Sequence, residues 1–375
     1  MSKPDLLQRA LEEHGLPSIS ATVFEDGEVS WAQTAGDARP DTQYAIASVT
    51  KTFVAAALLE LRVDLDEPTR FGTLRQLLSH TSGLQRELPG EEWGTLEFPA
   101  HDEVVARFDQ AERVLPPGRF HYSNLGYLVL GELVADRAGR PLEDAIRALL
   151  LEPHGLSRTT WGPQEPYALG FLRDRPERKL VKGGTSASGG LWSTAADVAR
   201  WGTHLLGLEE LHRPFAHAGW DEAFGLGVEC VRVDGRELWG HEGATVGFRS
   251  ILLYDRAANA GAAVLTNATQ FGGIRALAAS LVPQSRGRRE DEQAPAEIEG
   301  ILGSWWSEGI EHRFRWTGRL ETDDAVFVQE APDRFRSAQG HEEGELLRVV
   351  RGEDGEPIEL WWAGYPFRRT VGYSY

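Results

Sequence analysis

Two Asp-Gly pairs, Asp26-Gly27 and Asp234-Gly235, each joining two strand-like runs, stand near opposite ends of one long stretch of this chain. Asp-Gly between alternating apolar residues is a strong hairpin signal, because the favoured two-residue turn needs φ > 0 at both central positions. The first pair joins runs at 18 to 24 and 28 to 35, and the second joins 226 to 233 and 236 to 241. Further strand-like runs cover 246 to 254 and 261 to 267. Helical periodicity opens the chain at 5 to 14 and fills its middle at 49 to 61, 73 to 79, 102 to 113, 125 to 138 and 142 to 151, returning at 271 to 282. Strands at both ends with helices between them predict an α/β (α+β) domain: an antiparallel sheet built from both termini, flanked by helices and carrying an inserted helical region. That layout leaves a cleft between sheet and helices.

Residues 284 to 296 are Pro, Gln, Ser, Arg, Gly and acidic residues without apolar periodicity, which reads as a polar linker. The expected domains are therefore 1 to 283, the linker, and 297 to 375. The last segment alternates polar and apolar residues, as in His312-Arg313-Phe314-Arg315-Trp316, and carries turns such as Asp354-Gly355, so it reads as a small all-β domain. Trp361, Trp362 and Tyr365 are expected in its core, the other reading being that they line a substrate opening.

The chain has 375 residues, 41% of them hydrophobic, enough for a large core. Its formal net charge of -18 repels phosphate backbones and anionic lipid, which argues against nucleic-acid and membrane partners. The single Cys230 has no intramolecular disulfide partner and lies in the alternating run Val228-Glu229-Cys230-Val231, where a small buried side chain is expected. No apolar stretch follows Lys3, and no segment approaches a membrane span, so the expected compartment is the cytoplasm.

Only four lysines occur: Lys3, Lys51, Lys179 and Lys182. One of them lies three residues after a serine, in Ser48-Val49-Thr50-Lys51, at the start of an apolar helical run. That spacing puts hydroxyl and amine on one helix face, near the partial positive charge of the helix N-terminus. A serine becomes a nucleophile when a neighbour takes its proton, and a lysine with a lowered pKa can do so. Read alone, the four residues fit an N-cap serine followed by a solvated lysine equally well.

Two further elements bear on this choice. In Tyr122-Ser123-Asn124, a tyrosine hydroxyl near a lysine can serve as general base and later as acid, and an asparagine can orient a substrate amide. Taken by themselves they also fit a core aromatic and a helix cap. In His241-Glu242-Gly243-Ala244, the glycine permits close backbone approach at a strand, and the next amide can point at a carbonyl oxygen.

Ser-x-x-Lys, Tyr-x-Asn and a late His-x-Gly, in this order, resemble the serine β-lactamases and penicillin-recognising hydrolases. The likeness is nearest to the class C enzymes, DD-peptidases and related esterases and D-amino-acid peptidases. The stretches Leu78-Ser79-His80-Thr81-Ser82-Gly83-Leu84, Pro117 to Asn124 and Ser188 to Asp197 fit the same resemblance, which spans about residues 5 to 282. It implies Ser48 as nucleophile, Lys51 as its activating partner and Tyr122 sharing the acid/base work. It implies Asn124, His241 and Gly243 at the substrate and an oxyanion hole from the backbone amides of Ser48 and Ala244. It also implies a small ester, amide or peptide substrate, with no metal and no cofactor.

Where the β-lactamases carry a lysine in the third motif, this chain has His241, mostly neutral at pH 7 with a reference pKa of ~6.5. The expectation is therefore a serine hydrolase, an esterase or peptidase with weak or absent β-lactamase activity. The alternative from another class is a non-catalytic peptide- or muropeptide-binding protein on the same fold. The oligomeric state is not legible in the sequence.

Overall fold

The structure is a computed structural model that describes residues 2–172, 175–176, 183–284 and 294–370. The chain divides into two compact units, Met1–Gln284 and Ser285–Tyr375.

The first unit opens with helix α1 (Lys3–His14), capped reciprocally by Ser2 and Asp5 and ended by Gly15 in the left-handed region. Strands β1 (Ser18–Glu25) and β2 (Glu28–Gly36) follow as a hairpin across Asp26-Gly27. Helix α2 (Thr50–Glu60) contains Ala55-Ala56-Ala57-Leu58-Leu59, all strong helix formers, and is buried from Thr50 to Leu58. A helix apolar on every side belongs in a core, and α2 is the central one here. Helix α3 (Asn124–Ala138) and helix α4 (Ala195–Leu206) start at side-chain caps from Ser123 and Thr194.

The late strands are β3 (Ala216–His217), β4 (Glu222–Phe224), β5 (Glu229–Val233), β6 (Arg236–Thr245), β7 (Phe248–Asp255) and β8 (Ala260–Thr266). Together with the first hairpin they make one eight-stranded sheet, in the order β3-β4-β5-β6-β7-β8-β1-β2. The two termini of the unit meet where β1 pairs antiparallel with β8, from Ile19 opposite Thr266 to Glu25 opposite Ala260. One sheet face carries α2, α3 and α4 over a core that includes Phe24, Phe53, Trp201 and Leu252. The other face carries α1 and helix α5 (Ile274–Leu281) over Ile19, Val23, Ile251 and Val264. This is the antiparallel sheet with an inserted helical region expected from the hairpin pattern.

Several element bounds differ from the periodicity. The run 102 to 113 is a helix only over His101–Ala106, followed by a 3-10 turn at Phe108–Gln110. Val104 is the one fully buried residue of that helix, too thin an apolar face to prolong it. β5 begins at Glu229, because Gly227 takes φ +77° in a tight turn closed by Gly225 N–H on the Val228 carbonyl. Cys230 is buried on β5, as expected, and burial pushes its thiol up to about 12.

The second unit is a meander of eight antiparallel strands: β9 (Gly303–Ser307), β10 (Ile310–Trp316), β11 (Leu320–Glu321), β12 (Val326–Ala331), β13 (Arg334–Gln339), β14 (Leu346–Arg351), β15 (Pro357–Trp362) and β16 (Tyr365–Phe367). A bridge between Trp306 and Arg368 brings its first and last strands together, so the sheet nearly closes into a barrel. Trp305, Phe314, Phe335 and Trp362 fill its core. Trp362 is inside as expected, whereas Trp361 is half-buried and Tyr365 is exposed. Side chains alternate across a strand, so neighbouring tryptophans do not share one face. Residues 285–293 of the expected linker lie outside the described residues. Among the described residues, no helix is long and apolar enough to cross a membrane.

Candidate active site

Ser48 lies in a 3-10 turn, Ala47–Val49, that leads directly into α2. Ala47 holds φ +44°, a conformation that costs a non-glycine residue about 1–2 kcal/mol. Such strain is held where the surroundings over-determine the backbone. One helical turn on, Lys51 is fully buried. Its Nζ donates to Ser48 Oγ at 3.0 Å, to Asn124 Oδ1 at 2.7 Å and to the Ser188 carbonyl at 2.6 Å. Three acceptors match the three N–H donors of an ammonium. The rings of Tyr122 and Tyr127 add cation–π contacts, 5.0 and 5.4 Å from Nζ.

Tyr122 and Asn124 reach this cluster from the entry of α3. Burial pushes the Tyr122 hydroxyl above its ordinary pKa, opposed mainly by a hydrogen bond with Ser48. Ser123, the N-cap, accepts from Gly126 N–H and donates to the Gln85 carbonyl, which pins the start of the helix. Asn124 is engaged at both ends of its amide, since Oδ1 accepts from Lys51 and Nδ2 donates to Glu87.

The third motif lies inside β6, a longer strand than the alternation suggested. Gly243 packs directly on the Ala47–Val49 turn: a Cβ there would come within 2.3 Å of the Ile46 carbonyl oxygen, 2.2 Å of Ser250 Oγ and 3.2 Å of Ser48 N. Glycine is therefore what lets sheet and turn touch. Ser250 Oγ donates to the Ile46 carbonyl at 2.7 Å and ties β7 to the same turn.

His241 turns into the interior, where it is 1% exposed. Its Nδ1–H donates to the Glu242 carbonyl at 2.7 Å and lies 3.3 Å from Glu229 Oε1. Burial, and then Lys51, push His241 down to about 3. Burial raises Glu229 to about 8, against the pull of Arg275. Both groups are thus driven toward their neutral forms. The Glu242 side chain leaves on the opposite side of the strand, to Arg249 and Arg275.

Above these residues opens a cleft of about 320 Å³ whose walls include Ser48, Arg86, Glu87, Asn124, Ser188 and Ala244. Ser48, Lys51, Tyr122 and Asn124 are thus brought together, Gly243 supports them, Ala244 lines the same cleft as Ser48, and the His241 side chain lies beneath. Sequence reasoning missed Arg86, Glu87, the Ser188 carbonyl and Glu229. Arg86 and Glu87 lie two and three residues after the Leu78 to Leu84 stretch, which was the available signal. Among the described residues, no group of three or more His, Cys, Asp or Glu side chains is placed to hold a metal ion.

Known proteins can be set beside this geometry. The chain spans 44% of the length of Beta-lactamase-like protein 2 from Dictyostelium discoideum, to which it is 24% identical over 52% of its own length. It is 27% identical to Penicillin-binding protein 4 of Amycolatopsis lactamdurans, over 79% of this chain and 95% of that one. The structure of a D-stereospecific amidohydrolase from Streptomyces sp. superposes with a TM-score of 0.65 at 25% identity, covering 74% of this chain and 97% of that one. Residues 294–369 match a domain of unknown function, DUF7586. Residues 4–284 match the Beta-lactamase family, and since that match takes in most of the chain and every element that builds the cleft, the protein belongs to this family.

Proposed function

We propose that this chain is a serine hydrolase that forms an acyl-enzyme at Ser48 from a small ester, amide or peptide and then releases the acid. The observation that carries this reading is the buried Lys51 Nζ, 3.0 Å from the Oγ of a serine that opens on a cleft. Lys51 and Tyr122 act as one coupled acid/base pair. After this pair has lost one proton, Ser48 Oγ attacks the carbonyl carbon and passes its own proton to the pair. The carbonyl oxygen becomes an oxyanion, held by the backbone N–H groups of Ser48 and Ala244. When the intermediate collapses, the C–O or C–N bond breaks and the pair returns the proton to the leaving alcohol or amine. Water then attacks the acyl carbon, its proton goes to the same pair, and Ser48 Oγ recovers a proton as the carboxylic acid leaves.

Asn124, Gly243 and the third-motif strand complete the substrate-binding set. His241 brings no positive charge at neutral pH, which favours neutral esters and amides over β-lactams, whose carboxylate a third-motif lysine would attract. The similarity to a D-stereospecific amidohydrolase supports the amide branch. We propose the cytoplasm as the site of the reaction.

A fluorophosphonate probe tests the nucleophile: it labels the wild-type chain and fails to label Ser48→Ala. Labelling that persists in this variant refutes the reading. A screen across p-nitrophenyl esters, D- and L-amino-acid amides and nitrocefin then separates esterase, peptidase and lactamase.

A further inference from the structure

We propose that His80 is the positioning residue for Tyr122, gripping the peptide on both sides of that tyrosine and backing its ring. The proposal rests on the reading of Tyr122 as an acid/base partner of Ser48. His80 lies in the Leu78 to Leu84 stretch, a motif that the chemistry above leaves without a task.

Three contacts define the grip. The His121 N–H donates to the His80 carbonyl at 2.8 Å, and the Ser123 N–H donates to His80 Nδ1 at 3.1 Å. The residues before and after Tyr122 are thus both tied to one residue. The imidazole also stacks on the Tyr122 ring, with centroids 4.2 Å apart and planes 29° apart. A side chain held at its two flanking peptides and on one ring face has little freedom to swing its hydroxyl away from Ser48.

The residue type follows from the same contacts. His80 holds φ +58°, in the left-handed region where histidine, asparagine and aspartate are enriched. Because Nδ1 accepts from an N–H, the neutral ring carries its proton on Nε2, and Nε2 is buried with no hydrogen-bond partner among the described residues. Protonating Nδ1 would cancel the acceptor that Ser123 uses. It would also put a cation among Lys51, His241, Arg86 and His121, with Tyr122 and Tyr127 as the adjoining rings. Burial first, and these neighbours after it, keep the ring neutral. His80 therefore takes no proton in the reaction; it supplies a fixed acceptor and a flat surface.

Two variants separate these duties. His80→Asn keeps an acceptor and tolerates φ > 0 but lacks the ring, and His80→Phe keeps a ring but lacks the acceptor. With a p-nitrophenyl ester, each should lower kcat by at least thirtyfold and leave KM within threefold. In a Tyr122→Phe background His80→Asn should cost less than a further threefold, because residues that act through one another are not additive. Full kcat in His80→Asn, or a full thirtyfold loss on top of Tyr122→Phe, overturns the proposal. If Tyr122→Phe alone is fully active, the parent reading of Tyr122 fails instead, which is a separate result. Should either variant unfold, ¹⁵N-histidine NMR of the wild-type chain decides: an Nε2–H tautomer constant from pH 5 to 8 supports the grip, and titration near pH 6.5 overturns it.

Discussion

Replacing Gly243 by alanine tests the contact that joins the sheet to the turn carrying Ser48, the proposed nucleophile. The added Cβ would lie 2.3 Å from the Ile46 carbonyl oxygen and 2.2 Å from Ser250 Oγ. Ordinary carbon–oxygen contacts are about 3.3 Å or longer, so strand and turn must separate by about 1 Å. Oxyanion donors work at about 2.7–3.1 Å, and a shift of that size carries the Ala244 N–H beyond hydrogen-bond range of an oxygen also held by Ser48 N–H. Loss of one such donor costs about 2.7–4 kcal/mol, or about 10²–10³ in kcat. The overpacking itself costs about 1–3 kcal/mol of stability, a drop of a few degrees in Tm. Steady-state kinetics on a p-nitrophenyl ester should therefore show kcat lower by about 10²–10³, with KM changed far less. Adding Ser250→Ala removes one clash and leaves the one with the Ile46 carbonyl, so the double variant should stay slow. A folded Gly243→Ala protein with kcat within threefold of wild type would refute the argument, and with it the Ala244 amide as an oxyanion donor.

Lys51→Met should lower kcat/KM by about 10²–10⁴, the usual worth of a positioned acid/base group. Its stability should change little, because removing a buried charge offsets the loss of three hydrogen bonds, and thermal melts beside kinetics would expose an error in either half. For a neutral ester, log kcat/KM should rise from pH 6 to 9: burial raises the Tyr122 phenol, while His80 and His241 are both lowered and add no limb near pH 6.5. A bell-shaped profile that falls above pH 7 would contradict this. Glu229 has a folded pKa of about 8 against an ordinary value near 4.5. The native state then holds the extra proton between those pH values, so this group's contribution to stability falls as pH rises through that window. Urea melts at pH 5 and pH 8 should show Glu229→Gln gaining on wild type at the higher pH, and a gain confined to pH 5 would be the wrong sign.

Much of the architecture follows from local rules that act within a few residues. Asp26-Gly27 and Asp234-Gly235 enforce hairpins wherever the chain goes, and the alanine- and leucine-rich run of α2 must be a buried helix. The chemical candidates were legible for a related reason: Ser48 and Lys51 are one turn apart on one helix, and Tyr122 and Asn124 flank a helix cap. Bounds went astray where tertiary burial decided, as in the helix that stops at Ala106 because only Val104 finds a core.

What local rules leave open is the electrostatic state of the site. Read alone, histidine at 241 fits a surface or a satisfied core position, and nothing adjacent in the sequence announces that β5 will set Glu229 3.3 Å from it in a dry interior. Desolvation depends on every atom packed around a group, and those atoms come from strands and helices far apart in the chain. The same holds for Lys51, whose acceptors arrive from residues 48, 124 and 188. The sequence by itself determined which residues could do chemistry and on which elements they ride. The tertiary structure alone decided which of them face the cleft, which stay neutral, and that His80, 42 residues before Tyr122 along the chain, would stack on that tyrosine and bond its flanking peptides.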